Sequence, residues 1–248
     1  MAGHSKWSTI KRAKGAADAK RGQLFTKLAR EITVAARTGL PDPDANPRLR
    51  IAIQKARSEN MPKDNIDRAI ARATGSDGGA QYDEVSYEGY GPGGTALFIQ
   101  TMTDNRNRTV GEVRAAITRA GGSLGETGSV GWMFDQTGYI TIPVGDNDPD
   151  ELQMAAIEAG ASDVVLEGET LEVYTEPTEL HAVAQALTDA GFQTDATELI
   201  MKAKTLMTPD ADTAVKVIRL IERLEDLDDV QTVYSNLDIT DEVMAQVS

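Results

Sequence analysis

Apolar residues recur at three- and four-residue spacing through the first 75 positions and at two-residue spacing through much of the remainder. The chain therefore starts as helices and continues as mixed strands and helices. Leu24, Leu28, Ile32, Ala35 and Ala36 line one face of a helix predicted over about 23–38, which Gly39, Pro41 and Pro43 terminate. Asn46 before Pro47 is a cap with proline at the first helical position, and Leu49, Ile53 and Ala56 form the stripe of a second helix that runs to Asn60. Pro62 opens a third helix, with Ile66, Ala69, Ile70 and Ala73 inward and Gly75 as its stop. Ser76 to Ala80 is the linker.

Beyond the linker, strands are predicted at about Val85 to Tyr90, Thr95 to Met102, Val130 to Phe134 and Tyr139 to Val144. A helix from Thr109 to Ala120 opens on the capping-box pair Thr109 and Glu112 and stops at Gly121. Further helices are expected at Pro149 to Ala159, Pro177 to Ala190 and Asp212 to Leu227, with strands at Val164 to Glu167, Leu171 to Thr175, Glu198 to Ala203 and Val230 to Ser235. One bracketing uses every element. Tyr139 to about Lys202 spells β-α-β-β-α-β, and its removal leaves most of a second such unit. The expected fold is α+β, an N-terminal three-helix domain followed by two nested ferredoxin-like α/β domains. Its boundaries are 1–80, then 81–136 with 205–248 as a discontinuous domain, then 137–204 as the insertion. The segment Thr194 to Thr208 would have to serve both α/β units.

Charge divides along the same line. The first 80 residues hold 16 Lys/Arg against 8 Asp/Glu, and the remaining residues hold 9 against 31, giving +8 and −22 within a total of −14. The total argues against a nucleic-acid partner, but exposed charges are screened beyond about 8–10 Å at physiological salt, so the basic head acts locally. Cysteine is absent, which excludes disulfides, a thiolate nucleophile and a cysteine zinc site. Apolar runs fall far short of the ~20 residues a membrane span needs. The N-terminus has no apolar h-region, so no signal peptide is expected. These features point to a cytoplasmic protein without membrane association.

Lys6, Lys11, Arg12, Lys14, Lys20, Arg21, Lys27, Arg30 and Arg37 place nine cations in 37 residues that hold only Asp18 and Glu31 as acids. With Trp7 among them, this supplies phosphate contacts and one stacking ring. The alternatives are a solvated charged face, and for Trp7 simple packing on the helices. Gly89-Tyr90-Gly91-Pro92-Gly93-Gly94 matches the dinucleotide pattern in letters, yet a strand rather than a helix comes next, so a turn between strands is the better reading. Asp146, Asp148 and Asp150 imitate a calcium loop that fails at Glu151 and Ile157, and they suit a helix N-terminus instead. Asp104-Asn105-Arg106-Asn107-Arg108 sets two guanidinium groups beside a helix start. Arg106 and Arg108 either bind an anion there or pair with nearby acids. The loop Gly121 to Ser129 has hydroxyls but no histidine near it. The chain's two histidines are His4, in the basic stretch, and His181, early in a helix. A serine triad, a histidine metal site and a cofactor site are therefore not expected.

Met1-Ala2-Gly3-His4-Ser5-Lys6-Trp7, Asp18-Ala19-Lys20-Arg21-Gly22 and Phe25-Thr26-Lys27-Leu28 resemble the start of the YebC/PmpR family. So do Asn46 to Arg50, Asn60 to Ile66, Tyr87 to Gly94, Thr103 to Thr109 and Gly125 to Val130, in register over nearly the whole chain. The resemblance implies the three-domain fold and no catalysis. It also implies a choice of target: bacterial members are described as transcriptional regulators on promoter DNA, and the related mitochondrial activator of cytochrome c oxidase acts in translation, on ribosome and mRNA. The leading expectation is a non-enzymatic, DNA-binding transcription regulator contacting phosphates through Lys6, Lys11, Arg12, Lys14, Lys20, Arg21, Lys27 and Arg30. The alternatives are an RNA- or ribosome-associated translation factor, a small-anion binder around Arg106 and Arg108, and an adaptor whose acidic domains hold a basic protein.

Overall fold

The computed structural model describes residues 18–75 and 81–247, with side chains over 21–75, 81–240 and 242–246. Helix α1 (Asp18–Thr38) begins upstream of its predicted start and buries Leu28, Ile32, Val34, Ala35 and Ala36. Gly39 follows. A Cβ there would stand 2.5 Å from Asn46 Nδ2, so the return of the chain onto Asn46 requires glycine. Asn46 is buried and bonded on both sides. Its Oδ1 accepts from the Leu49 N–H at 3.1 Å, and its Nδ2 donates to the carbonyls of Ala35 at 2.9 Å and Leu40 at 2.7 Å. One side chain thereby caps α2 (Pro47–Ser58) and ties off the end of α1. In α3 (Lys63–Thr74), Ile66 and Ala69 are buried while Ile70 and Ala73 are half-buried. The Thr33 hydroxyl donates to the Ala69 carbonyl at 3.0 Å.

Beyond these helices come β1 (Asp83–Tyr90), β2 (Ala96–Thr103), α4 (Arg106–Arg119), β3 (Ser123–Leu124) and β4 (Phe134–Pro143). Next are α5 (Pro149–Glu158), β5 (Asp163–Glu167), β6 (Thr170–Thr175), α6 (Leu180–Asp189) and β7 (Ala196–Ala203). The chain closes with α7 (Ala211–Glu225), β8 (Val230–Ser235) and α8 (Asp241–Val247), the last of which the sequence pattern does not predict. The residues group into two compact units. The first draws on Met1–Glu31, Gly75–Asp135 and Lys202–Ser248, and the second on Ile32–Thr74 and Gln136–Met201, so α1 contributes to both.

In the first unit the strands lie in the order β3-β1-β2-β8, each antiparallel to its neighbour. β1 and β2 form the expected hairpin around the glycine turn, with Tyr90 opposite Ala96. The ferredoxin-like order survives with one substitution of parts. β2, α4, β3, α7 and β8 occupy five of the six places, and the central strand between β2 and β3 is β1, from the front of the chain. Leu97 and Ile99 pack against Val113 and Ile117 of α4 and Val217, Ile218 and Ile221 of α7. Burial of each such side chain contributes about 1.5–3 kcal/mol.

The second unit holds the uninterrupted unit, β4-α5-β5-β6-α6-β7, with sheet order β5-β6-β4-β7. β6 runs antiparallel to both β4 and β5. Ile140, Ile142, Leu171 and Val173 face Leu152 and Ala156 of α5 and Leu180, Val183 and Leu187 of α6, and Ile51 of α2 packs onto this cluster. Two local expectations fail. Val130 to Phe134 is not a strand but contains a 3-10 turn at Gly131–Met133, and α4 starts at Arg106, capped by Asn105 rather than by Thr109.

Candidate nucleic-acid interface

Of the nine residues expected to meet nucleic acid, Lys6, Trp7, Lys11, Arg12 and Lys14 lie outside the described residues, and Lys20 outside the described side chains. Arg21 is exposed on the first turns of α1. Lys27 and Arg30 are turned inward within the first unit. The Lys27 ammonium donates to the Glu225 carbonyl. Arg30 Nη1 sits 2.9 Å from Asp229 Oδ1 and 2.7 Å from the Asp228 carbonyl, with its guanidinium 5.2 Å from the centre of the Tyr82 ring. Lys27 and Arg30 thus hold acceptors within the first unit, Arg30 as a counter-charge of Asp229. Gln23 joins the same corner, donating to Asp228 Oδ1 at 3.0 Å.

Asp229 is the centre of that corner. Its carboxylate is buried between α7 and β8 and accepts from Arg30, from Arg108 Nη2 at 2.6 Å, and from the hydroxyls of Thr103 at 3.2 Å and Thr109 at 2.7 Å. Burial pushes its pKa up, but the hydrogen bonds from Arg108 and Thr109, then the charges of Arg108 and Arg30, outweigh burial and hold the group below the usual carboxylate range. Arg108 also meets Asp104 at 2.7 Å, and Arg106 Nε meets Asp83 Oδ2 at 2.7 Å. Both guanidiniums thus carry carboxylate partners, the pairing with nearby acids that is one of the two readings of this helix start. The side chain that the capping-box pattern assigned to the helix end, Thr109, is spent on Asp229.

A second buried carboxylate organises the glycine loop. Glu88 accepts from the backbone N–H groups of Gly128 at 2.8 Å, Val130 at 2.7 Å and Gly131 at 2.6 Å. Gly128 holds φ at 89°, which a side chain would strain. Burial favours the neutral acid, yet the three N–H donors prevail and its pKa is lowered. In the second unit the buried Glu172 accepts from the hydroxyls of Tyr139 at 3.2 Å and Tyr174 at 2.7 Å. Burial, then the bond to Glu172, pushes the Tyr174 phenol up. Sequence reasoning missed all three acids. Only Glu88 carried a signal, since a glycine-rich loop with free N–H groups needs an acceptor and Glu88 lies on the neighbouring strand.

The remaining residues take structural places. Asp148 caps α5, accepting from the N–H groups of Asp150 at 2.8 Å and Glu151 at 3.3 Å, as its position before a helix suggested. His181 is half-buried, and burial, then the nearby charge of Arg50, lowers its pKa. Among the described residues no group of three or more His, Asp or Glu side chains is arranged to hold a metal ion, and no helix is long and apolar enough to cross a membrane.

Comparison with known proteins adds a family. A family model described as "TACO1/YebC protein N-terminal domain" matches residues 5–76, and one described as "TACO1/YebC second and third domain" matches 82–237. A "probable transcriptional regulatory protein" of Chloroflexus aurantiacus is 59% identical over 249 residues, covering 99% of each chain. Another of that name from Geobacter sp. strain M21 is 52% identical over 247 residues, covering 100% of each. The crystal structure of a conserved hypothetical protein from Aquifex aeolicus superposes with a TM-score of 0.83 at 46% identity, over 89% of this chain and 91% of that one.

Proposed function

Because the chain belongs to the TACO1/YebC family, we propose that it is a non-enzymatic, cytoplasmic nucleic-acid-binding regulator of transcription. The observation that carries this reading is the concentration of cations at the front of a chain that is otherwise strongly acidic. Lys6, Lys11, Arg12, Lys14, Lys20 and Arg21 make the phosphate contacts, Trp7 stacks, and the acidic remainder orients the molecule by repulsion. Lys27 and Arg30 support the surface from within. The names of the relatives favour promoter DNA as the target. The three-part division into 1–80, 81–136 with 205–248, and 137–204 belongs to the same proposal, with the first part as the binding module.

A second reading, an RNA or ribosomal target, is favoured by what α2 and α3 expose. Arg48, Arg57, Lys63, Arg68 and Arg72 are exposed there, residues suited to backbone contact, whereas Gln54 is the one exposed amide in these two helices. Such a surface tracks a phosphate backbone better than it reads bases. Crosslinking the tagged protein to nucleic acid in cells and sequencing both DNA and RNA separates the readings. Enrichment at discrete promoters is expected; enrichment of ribosomal RNA establishes the translation reading, and recovery of neither overturns both.

A further inference from the structure

Tryptophan is seldom left in water, yet Trp132 is 67% exposed, and Tyr90 beside it is 36% exposed. Their polar edges converge on a single atom. Trp132 Nε1 donates to the Ser129 carbonyl at 3.1 Å and the Tyr90 hydroxyl donates to the same oxygen at 3.0 Å. A carbonyl offers two lone pairs, so both are used and each ring is fixed by its edge with a face left open. The backbone that presents them is itself held, because Gly125 N–H donates to the Glu88 carbonyl at 2.8 Å while the Glu88 carboxylate grips Gly128, Val130 and Gly131. Exposure of these rings is therefore built into the loop rather than a frayed edge.

The surroundings select the charge of what covers them. The N–H groups of Gly128, Val130 and Gly131 are already spent on the Glu88 carboxylate, which brings a negative charge to the loop. The segment 121–135 carries Glu126 and Asp135 and neither Lys nor Arg. Glu126 is exposed in the turn, and Asp135 meets Lys204 at 3.1 Å. A surface with open aromatic faces, negative charge and few free donors suits a flat, weakly hydrated cation. We infer that Tyr90 and Trp132 form a cation–π docking site for an arginine-bearing segment of a basic protein partner. A nucleobase would also stack on these rings, but it brings phosphates to a loop whose neighbouring cation, Lys204, is already paired with Asp135. The inference stands apart from the nucleic-acid reading, whose cations lie between Lys6 and Arg72.

Trp7 and Trp132 are the two tryptophans, so full-length protein carrying Trp7→Phe reports on Trp132 alone. In that background, nona-arginine, nona-lysine and single-stranded oligoadenylate are titrated against Trp132 emission, and peptide affinity is measured by calorimetry at physiological salt. The expected result is saturable quenching by nona-arginine at several-fold lower concentration than nona-lysine. Its affinity should fall about fivefold in Trp132→Leu and in Tyr90→Leu and be largely restored in Trp132→Phe. Equal affinity in parent and leucine variants would show diffuse attraction to acidic surface and overturn the inference. Saturable quenching by oligoadenylate, with nona-arginine indifferent to the variants, would reassign the rings to a base. Both variants lie at exposed positions, and unfolding midpoints matching the parent confirm that affinity alone has changed.

Discussion

Asp229 receives two guanidiniums and two hydroxyls, and its value to the fold lies in that convergence from α1, β2 and α4. Asp229→Asn keeps the shape but leaves the half-buried Arg30 without its counter-charge, which should cost about 3 kcal/mol. The urea midpoint at neutral pH should drop accordingly. The pH dependence has a defined sign. A carboxylate whose folded pKa is depressed contributes stability that is present above its unfolded value, near 4, and is lost as pH falls through the lower folded value. Glu88 acts in the same direction. Unfolding midpoints measured from pH 6 down to 3 should therefore decline in the parent and decline less steeply in Asp229→Asn. A parent curve that is flat over this range would remove both acids from the account of stability. None of this was legible at the residue level. Arg30 and Asp229 lie 199 positions apart, and no local pattern ties a cation on an amphipathic helix to an acid after a distant one.

At the level of elements, the sequence was most legible where a signal is satisfied by its immediate neighbours. Asn46-Pro47 starts α2 where predicted because the cap, the fixed proline φ and the Leu49 N–H all lie within one turn. The buried amide does more than cap, since it also holds the carbonyls of Ala35 and Leu40. Asn46→Ala should thus cost about 2 kcal/mol, the upper end for a cap. It should raise hydrogen exchange at Leu49 and Arg50; unchanged exchange there would mean water replaces the cap. Legibility failed where a tertiary acceptor outbid the local pattern. Val130 to Phe134 has strand-like residues, but Glu88 takes the N–H groups of Val130 and Gly131, which are then lost to any ladder. Thr109 and Glu112 fit the capping box, but the Thr109 hydroxyl is drawn to Asp229 and Asn105 caps one turn earlier. The unassigned central strand of the first sheet turned out to be β1, a reordering that strand periodicity cannot reveal.

The whole molecule is governed by its charge split, which sequence reveals fully because charge needs no fold to be counted. Which cations face outward does need the fold. Lys27 and Arg30 count toward the basic head, yet Lys27 bonds the Glu225 carbonyl and Arg30 bonds the Asp228 carbonyl and neutralises Asp229. The cations left to meet phosphates are then those ahead of Thr26 and, on the RNA reading, the exposed ones of α2 and α3, and binding should be correspondingly sensitive to salt. On a duplex each phosphate contact contributes about −0.9 to the slope of log affinity against log salt, and on a single strand about −0.7. Replacing Lys11, Arg12 and Lys14 by Glu should abolish measurable binding at physiological salt. Replacing the same three by Gln should reduce the slope by about 2.7 on a duplex or about 2.1 on a single strand. Lys27→Gln, by contrast, should leave the slope unchanged while lowering the unfolding midpoint. If Lys27→Gln alters the slope as much as Lys11→Gln, its ammonium leaves Glu225 when nucleic acid binds, and the inward set is part of the interface after all. The slope thus reads, one residue at a time, how the molecule divides its cations between holding itself together and holding a partner.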